Sequence, residues 1–102
     1  MPTRILVVDD HAIVRRSICS LLSKDPTLDV ICETADGQDA VEKAAQLLPD
    51  LVLLDIGLPT ISGIEAARQI QRVSPRTRIL FLSQHDSVHM VKAGMKVGGT
   101  DT

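Results

Sequence analysis

Residues 51–63 read LVLLDIGLPTISG. Four apolar residues, Leu51 to Leu54, run directly into Asp55, and Gly57, Pro59 and Gly63 follow. A short, fully apolar run with polar boundaries suits a strand covered on both faces, as in a parallel sheet. The Gly- and Pro-bearing stretch after it reads as a loop. Ser62-Gly63-Ile64-Glu65 has the pattern of a capping box that opens a helix. The stretch is therefore strand, loop and helix, with one carboxylate at the strand's end.

The same alternation extends in both directions. RILVV (4–8) and RILFLS (78–83) are further continuous branched runs, and DVICE (29–33) is a more mixed one that suits a sheet edge. Helical periodicity fills the gaps. Val14, Ile18, Leu21 and Leu22 form a stripe within 12–23, with Arg15 and Arg16 turned away. Ala40, Val41, Ala44, Ala45 and Leu48 form a second within 37–48, capped by Asp36 with Asp39 at the positive helix start. Ile64, Ala67, Ile70 and Val73 form a third within 63–73, and Val88, Val91 and Met95 mark a fourth from about Asp86 to Lys96, with Gly94 inside it. The order β-α-β-α-β-α-β-α predicts an α/β fold with a doubly wound parallel sheet.

Composition sets the bounds. The chain of 102 residues suits one domain. Hydrophobic residues make up 44% and charged residues 24%, and Phe81 is the single aromatic, so the core is aliphatic. A net charge of −2 without a basic cluster argues against phosphate-backbone binding by this segment. Cys19 and Cys32 form no CxxC motif and read as buried structural thiols of a reducing cytosol. No signal peptide or membrane-length apolar run is present, so a cytoplasmic location without membrane attachment is expected.

In an open α/β sheet, ligands gather at the carboxyl ends of strands. Asp9 and Asp10 close the first run, Asp55 the third and Ser83 the fourth. With the first, third and fourth strands adjacent, all four residues meet. Crowded carboxylates raise one another's pKa, and a hard cation such as Mg2+ relieves the repulsion. Asp55 is then the candidate nucleophile towards phosphorus, Gly57 a candidate carbonyl ligand, and Ser83 a hydroxyl donor for a phosphoryl oxygen. The competing reading of Asp9, Asp10 and Asp36 is helix capping.

The motifs LVVDDH, LLDIGLP, ISGIEAARQI and LFLS, in that order at strand ends, resemble the receiver domain of two-component response regulators. The resemblance covers nearly all of 1–102 and implies a flavodoxin-like fold with sheet order 2-1-3-4-5. It implies a phosphorelay signalling module rather than an enzyme. Asp55 would accept a phosphoryl group from a sensor histidine kinase. Asp10, Asp55 and the Gly57 carbonyl would bind Mg2+ directly, Asp9 would act through water, and Ser83 would move towards the phosphoryl group. The wording DIGLPTISGIEAARQI and ILFLSQHD resembles the subfamily that carries a LuxR-type DNA-binding domain after the receiver. Family receivers continue into a fifth strand bearing a lysine and then a fifth helix. Here KVGGTDT follows the fourth helix, and Lys92 and Lys96 are poor substitutes for that lysine. An incomplete receiver is therefore expected, one that self-associates, exchanges elements with a second copy, or is marginally stable.

Other readings stay open at this point. HDSVH (85–89) spaces His85 and His89 as in the zinc-hydrolase HExxH motif, with Asp86 in place of Glu, but no third ligand follows at a useful spacing. His11 reads as a helix-start residue beside the acidic pair. A degenerate receiver that binds partners without phosphorylation is a second reading. An aspartate-nucleophile phosphatase is disfavoured because Gly57 stands where a second Asp is needed.

Overall fold

The computed structural model describes residues 1–82. Its elements run β1 (Thr3–Val8), α1 (Ala12–Leu22), β2 (Leu28–Thr34), α2 (Gly37–Leu47), β3 (Leu51–Asp55), α3 (Gly63–Val73) and β4 (Arg78–Leu82). The expected fourth helix, Ser83, and the His85/His89 pair lie outside the described residues.

All strand pairs are parallel and the sheet order is β2-β1-β3-β4. This is a doubly wound, flavodoxin-like sheet, with β1 beside β3 and β3 beside β4 as the acidic residues require. β2 is an edge, as its mixed composition predicts. Its register with β1 shifts between Ile5 and Leu6, so Ile31 is passed over in the pairing.

Successive strand residues point to opposite faces, and the two faces are covered differently. Leu6, Val8, Val52, Leu54, Ile79 and Phe81 pack under α2 and α3 with Ala40, Val41, Ala44, Ala66, Ala67 and Ile70. The small alanines let both helices approach closely. Ile5, Val7 and Leu53 face α1, where Ile18, Cys19 and Leu22 are only partly buried. No residue of α1 is fully buried.

Some helix-face expectations need correction. Leu21 is 68% and Leu48 56% exposed, and Ala45 is also exposed. Cys19 takes the place in the α1 stripe given to Leu21. Leu48 has left the helix and holds a left-handed C-cap conformation with φ 49°. Both cysteines are free and half-buried rather than buried. Arg15 does not turn away to solvent: its guanidinium reaches the Asp9 carbonyl at 2.6 Å and Glu33 at 3.2 Å.

Candidate functional site

β1 and β3 deliver the site. Their buried runs end side by side, with Val8 paired to Leu54, so Asp9 and Asp55 emerge together at the carboxyl edge. Asp9 is 3% and Asp55 7% exposed. The Asp10 carboxylate is about one-third exposed, at 31%. Capping does not explain Asp9 and Asp10. The N-cap of α1 is His11, which makes no side-chain cap bond. Asp9 instead accepts the His11 backbone N–H at 2.8 Å. The capping reading does hold for Asp36, whose carboxylate accepts the Asp39 N–H at 3.0 Å. Thr60 and that N–H hold the Asp36 carboxyl below its usual pKa.

Asp9, Asp10, His11 and Asp55 each offer a donor atom, and these atoms lie within 4.8 Å of one another. His11 Nδ1 is 3.1 Å from an oxygen of Asp9, 3.1 Å from one of Asp10 and 3.9 Å from one of Asp55. Burial pushes the Asp55 carboxyl above its ordinary pKa. The Gly57 N–H opposes this, and the neighbouring Asp9 and Asp10 carboxylates add to the upward push. His11 is likewise held above its ordinary value, chiefly by its hydrogen bond to Asp9, with the charges of Asp10, Asp9 and Asp55 adding and desolvation opposing. The arrangement stabilises positive charge. A set of clustered carboxylate oxygens with one flank open to water fits a hard divalent cation that retains several waters.

The β3–α3 loop is shaped by a glycine whose importance the motif concealed. A Cβ on Gly63 would collide with the Asp55 carbonyl and lie 2.7 Å from the Ile56 Cα. The Gly63 N–H also donates to the Ile56 carbonyl at 2.8 Å. The start of α3 thus sits directly against the backbone of the candidate nucleophile. A Cβ on Gly57, by contrast, would meet nothing within 4 Å. Gly57 touches the site through its N–H, which donates to Asp55 Oδ1 at 3.2 Å. The predicted capping box is half formed: Ser62 accepts the Glu65 N–H at 3.2 Å, while the Glu65 carboxylate goes to Gln69 and Arg68.

Sequence reasoning also missed Arg15. By gripping the Asp9 carbonyl and Glu33 together it ties α1 and the edge strand β2 to the site. Helical periodicity places Arg15 on the polar side, and only its contacts with Glu33 of β2 and the Asp9 carbonyl make it a structural residue.

The family model for the response regulator receiver domain matches residues 5–102. The chain is 40% identical over 85 residues to the response regulator protein VraR of Staphylococcus saprophyticus, covering 83% of this chain and 41% of that protein. It is 39% identical over 102 residues to a protein-glutamate methylesterase/protein-glutamine glutaminase of Colwellia psychrerythraea, covering 99% of this chain and 27% of the relative. The chain therefore spans well under half the length of these relatives. Among solved structures, a LuxR-family two-component response regulator from Aurantimonas superposes with a TM-score of 0.82 at 34% identity, over 96% of this chain and 70% of that one. The response regulator domain of Thermotoga maritima CheB gives 0.81 at 30% identity, over 99% of this chain and 76% of the other. With its sheet order, its acidic edge and these matches in agreement, the chain belongs to the response regulator receiver domain family.

Proposed function

We propose that Asp55 accepts a phosphoryl group from a phosphohistidine of a sensor histidine kinase. The observation that carries this reading is the placement of Asp55: a buried carboxylate, raised in basicity, at a strand end beside two further carboxylates. A carboxylate oxygen of Asp55 attacks phosphorus, the P–N bond breaks, and the donor imidazole leaves with the bonding pair. Asp10, Asp55 and the Gly57 carbonyl would hold Mg2+, with Asp9 acting through water. When bound, Mg2+ supplies charge neutralisation at the phosphoryl oxygens. Asp9 keeps its carboxylate in place through the His11 N–H, and Ser83 donates to a phosphoryl oxygen. A structure similar at 26% identity is a Borrelia burgdorferi CheX–CheY complex with BeF3 and Mg2+, which supports the same cation here.

The module then controls an output domain. The local wording of α3, the similarity to the Aurantimonas response regulator of the LuxR family and that to a Brevibacillus brevis transcriptional regulatory protein, DegU, favour a LuxR-type DNA-binding output and hence transcription regulation in the cytoplasm. Methylesterase relatives give the alternative output, a separate catalytic domain. Among the described residues no helix is long and apolar enough to cross a membrane. Among the described residues Ile13 and Leu21 of α1 are 82% and 68% exposed, which supports self-association, for which sedimentation at increasing concentration is the check. The phosphoacceptor is tested by incubation with acetyl phosphate and Mg2+. One phosphoryl adduct, lost in Asp55→Asn, is expected. Failure of the wild type to label under any condition leaves the phosphorylation-independent binding module as the better account.

A further inference from the structure

We propose that Asp36 is a positioning residue for phosphoryl transfer: through Thr60 it holds the β3–α3 loop in a strained turn that sets Gly57 and the Asp55 carboxylate in place. The inference rests on the reading of Asp55 as the phosphoacceptor.

Three observations carry it. First, the loop contains a conformation that its residue type resists. Thr60 has φ 71°, and the Ile61 N–H donates across it to the Pro59 carbonyl at 2.8 Å. A bond back over two residues around a left-handed centre has the form of the rarer, strained class of γ-turn. A β-branched residue persists there only when its surroundings over-determine it.

Secondly, the start of α2 supplies those surroundings. A Cβ on Gly37 would lie 2.9 Å from Ile61 Cγ1 and 3.1 Å from the Ile61 carbonyl oxygen, so the turn rests on the first residue of that helix. Asp36 caps α2 through Oδ2, which accepts the Asp39 N–H at 3.0 Å. Its own N–H donates to the buried Thr34 hydroxyl at 3.3 Å, which ties it to the end of β2. Oδ1 is buried and makes no full hydrogen bond, and the Thr60 hydroxyl is the neighbour that most favours the ionised carboxyl. A buried oxygen short of a donor draws the hydroxyl beside it. Thirdly, both ends of the loop are pinned at the nucleophile. The Gly63 N–H donates to the Ile56 carbonyl at 2.8 Å, and the Gly57 N–H to Asp55 Oδ1 at 3.2 Å. Relaxation at Thr60 is therefore taken up between Gly57 and Thr60, where the bond to Asp55 and the candidate carbonyl ligand lie.

Capping and clasping can be separated. Capping needs only a short acceptor at position 36, which serine supplies about as well as aspartate. The clasp needs a carboxylate long enough to reach Thr60.

The test uses the full chain with Asp36→Ser, Thr60→Val, their double variant, and Asp36→Ser combined with Thr60→Gly. Without metal, the Ile61 amide is expected to exchange with solvent about tenfold faster in Asp36→Ser, while the α2 amides keep their protection. Labelling by acetyl phosphate with Mg2+ is expected to slow about tenfold in Asp36→Ser and in Thr60→Val. The double variant should be no slower than either, because both changes remove one contact. Glycine takes a positive φ without strain, so Thr60→Gly is expected to bring Asp36→Ser back to within about threefold of the wild-type labelling rate. Labelling unchanged in both single variants, whatever the exchange at Ile61, overturns the inference and leaves the phosphoacceptor standing. So does a slowing that multiplies in the double variant or that glycine does not relieve. A wild type that never labels removes the phosphoacceptor reading and this inference with it.

Discussion

At the amino end of the sheet Arg4, Asp50, Ser74 and Thr77 are tied by hydrogen bonds, and at the carboxyl end like charges are pressed together. The Arg4 guanidinium donates to the Leu47 and Leu48 carbonyls at 2.8 and 3.0 Å, capping α2 where its dipole is negative. Its backbone N–H meets the Asp50 carboxylate at 2.8 Å. Asp50 N–H and C=O continue the ladder to Arg4 and Arg78. The buried Thr77 hydroxyl donates to the Pro49 carbonyl at 2.6 Å. Having one proton, it must then accept from Ser74. This end locks α2, β3 and β4 together. The other end gathers Asp9, Asp10 and Asp55, and among the described residues the His11 ring lies with them. Stability is concentrated at one edge, and electrostatic frustration is left at the edge where a cation and a phosphoryl group would be received.

The largest break in this contrast is expected from Gly63→Ala, because a Cβ there strikes the Asp55 carbonyl. It should cost about 3 kcal/mol or more in denaturant unfolding, since rigid backbone rather than a side chain must move. It is the one substitution expected to damage both stability and labelling. Thr77→Val comes next. It leaves the Pro49 carbonyl and the Ser74 hydroxyl buried without this partner and should cost about 1–3 kcal/mol, with labelling of the folded fraction unchanged. A Thr77→Val protein that folds normally but labels poorly would dissolve the distinction between the two ends.

A smaller effect of opposite sign is expected at the carboxyl end. Asp55 holds its proton above the ordinary value of 3.8. The folded chain therefore binds more protons than the unfolded one as pH rises from there, and metal-free stability falls through that window. Asp55→Asn removes this loss. It should melt above the wild type at neutral pH without metal, and the difference should fade below pH 3.8. Mg2+ should raise the melting temperature of the wild type and not of the variant. The smallest effect is Gly57→Ala. With open space at its Cβ, a change within about 0.5 kcal/mol is expected, with Mg2+ affinity retained if the backbone alone serves the site.

The contrast also explains what the sequence could disclose. The strand runs and the acidic residues at their ends are local signals, so four strands, three helices and the Asp9/Asp10/Asp55 edge were legible. The order of strands was not. It rested on family likeness, because adjacency of β1 to β3 is a long-range property that periodicity does not encode. The amino-end network was invisible for the same reason: Arg4 and Asp50 are 46 positions apart and form no pattern. Gly63 was hidden inside a correct helix-start signal, since nothing in Ser62-Gly63-Ile64-Glu65 announces that the preceding strand's carbonyl will press on that glycine. The left-handed Thr60, φ 71°, gave no cue because threonine seldom adopts that conformation.

The central claim is that the frustrated carboxylate at the end of β3 is the phosphoacceptor. It is tested most directly by intact-mass measurement after acetyl phosphate treatment, with and without Mg2+, on the wild type, Asp55→Asn and Thr77→Val. A single phosphoryl adduct is predicted in the wild type and in folded Thr77→Val, dependent on Mg2+ and absent from Asp55→Asn. An adduct that persists in Asp55→Asn, or that forms equally well without a divalent cation, would contradict the account.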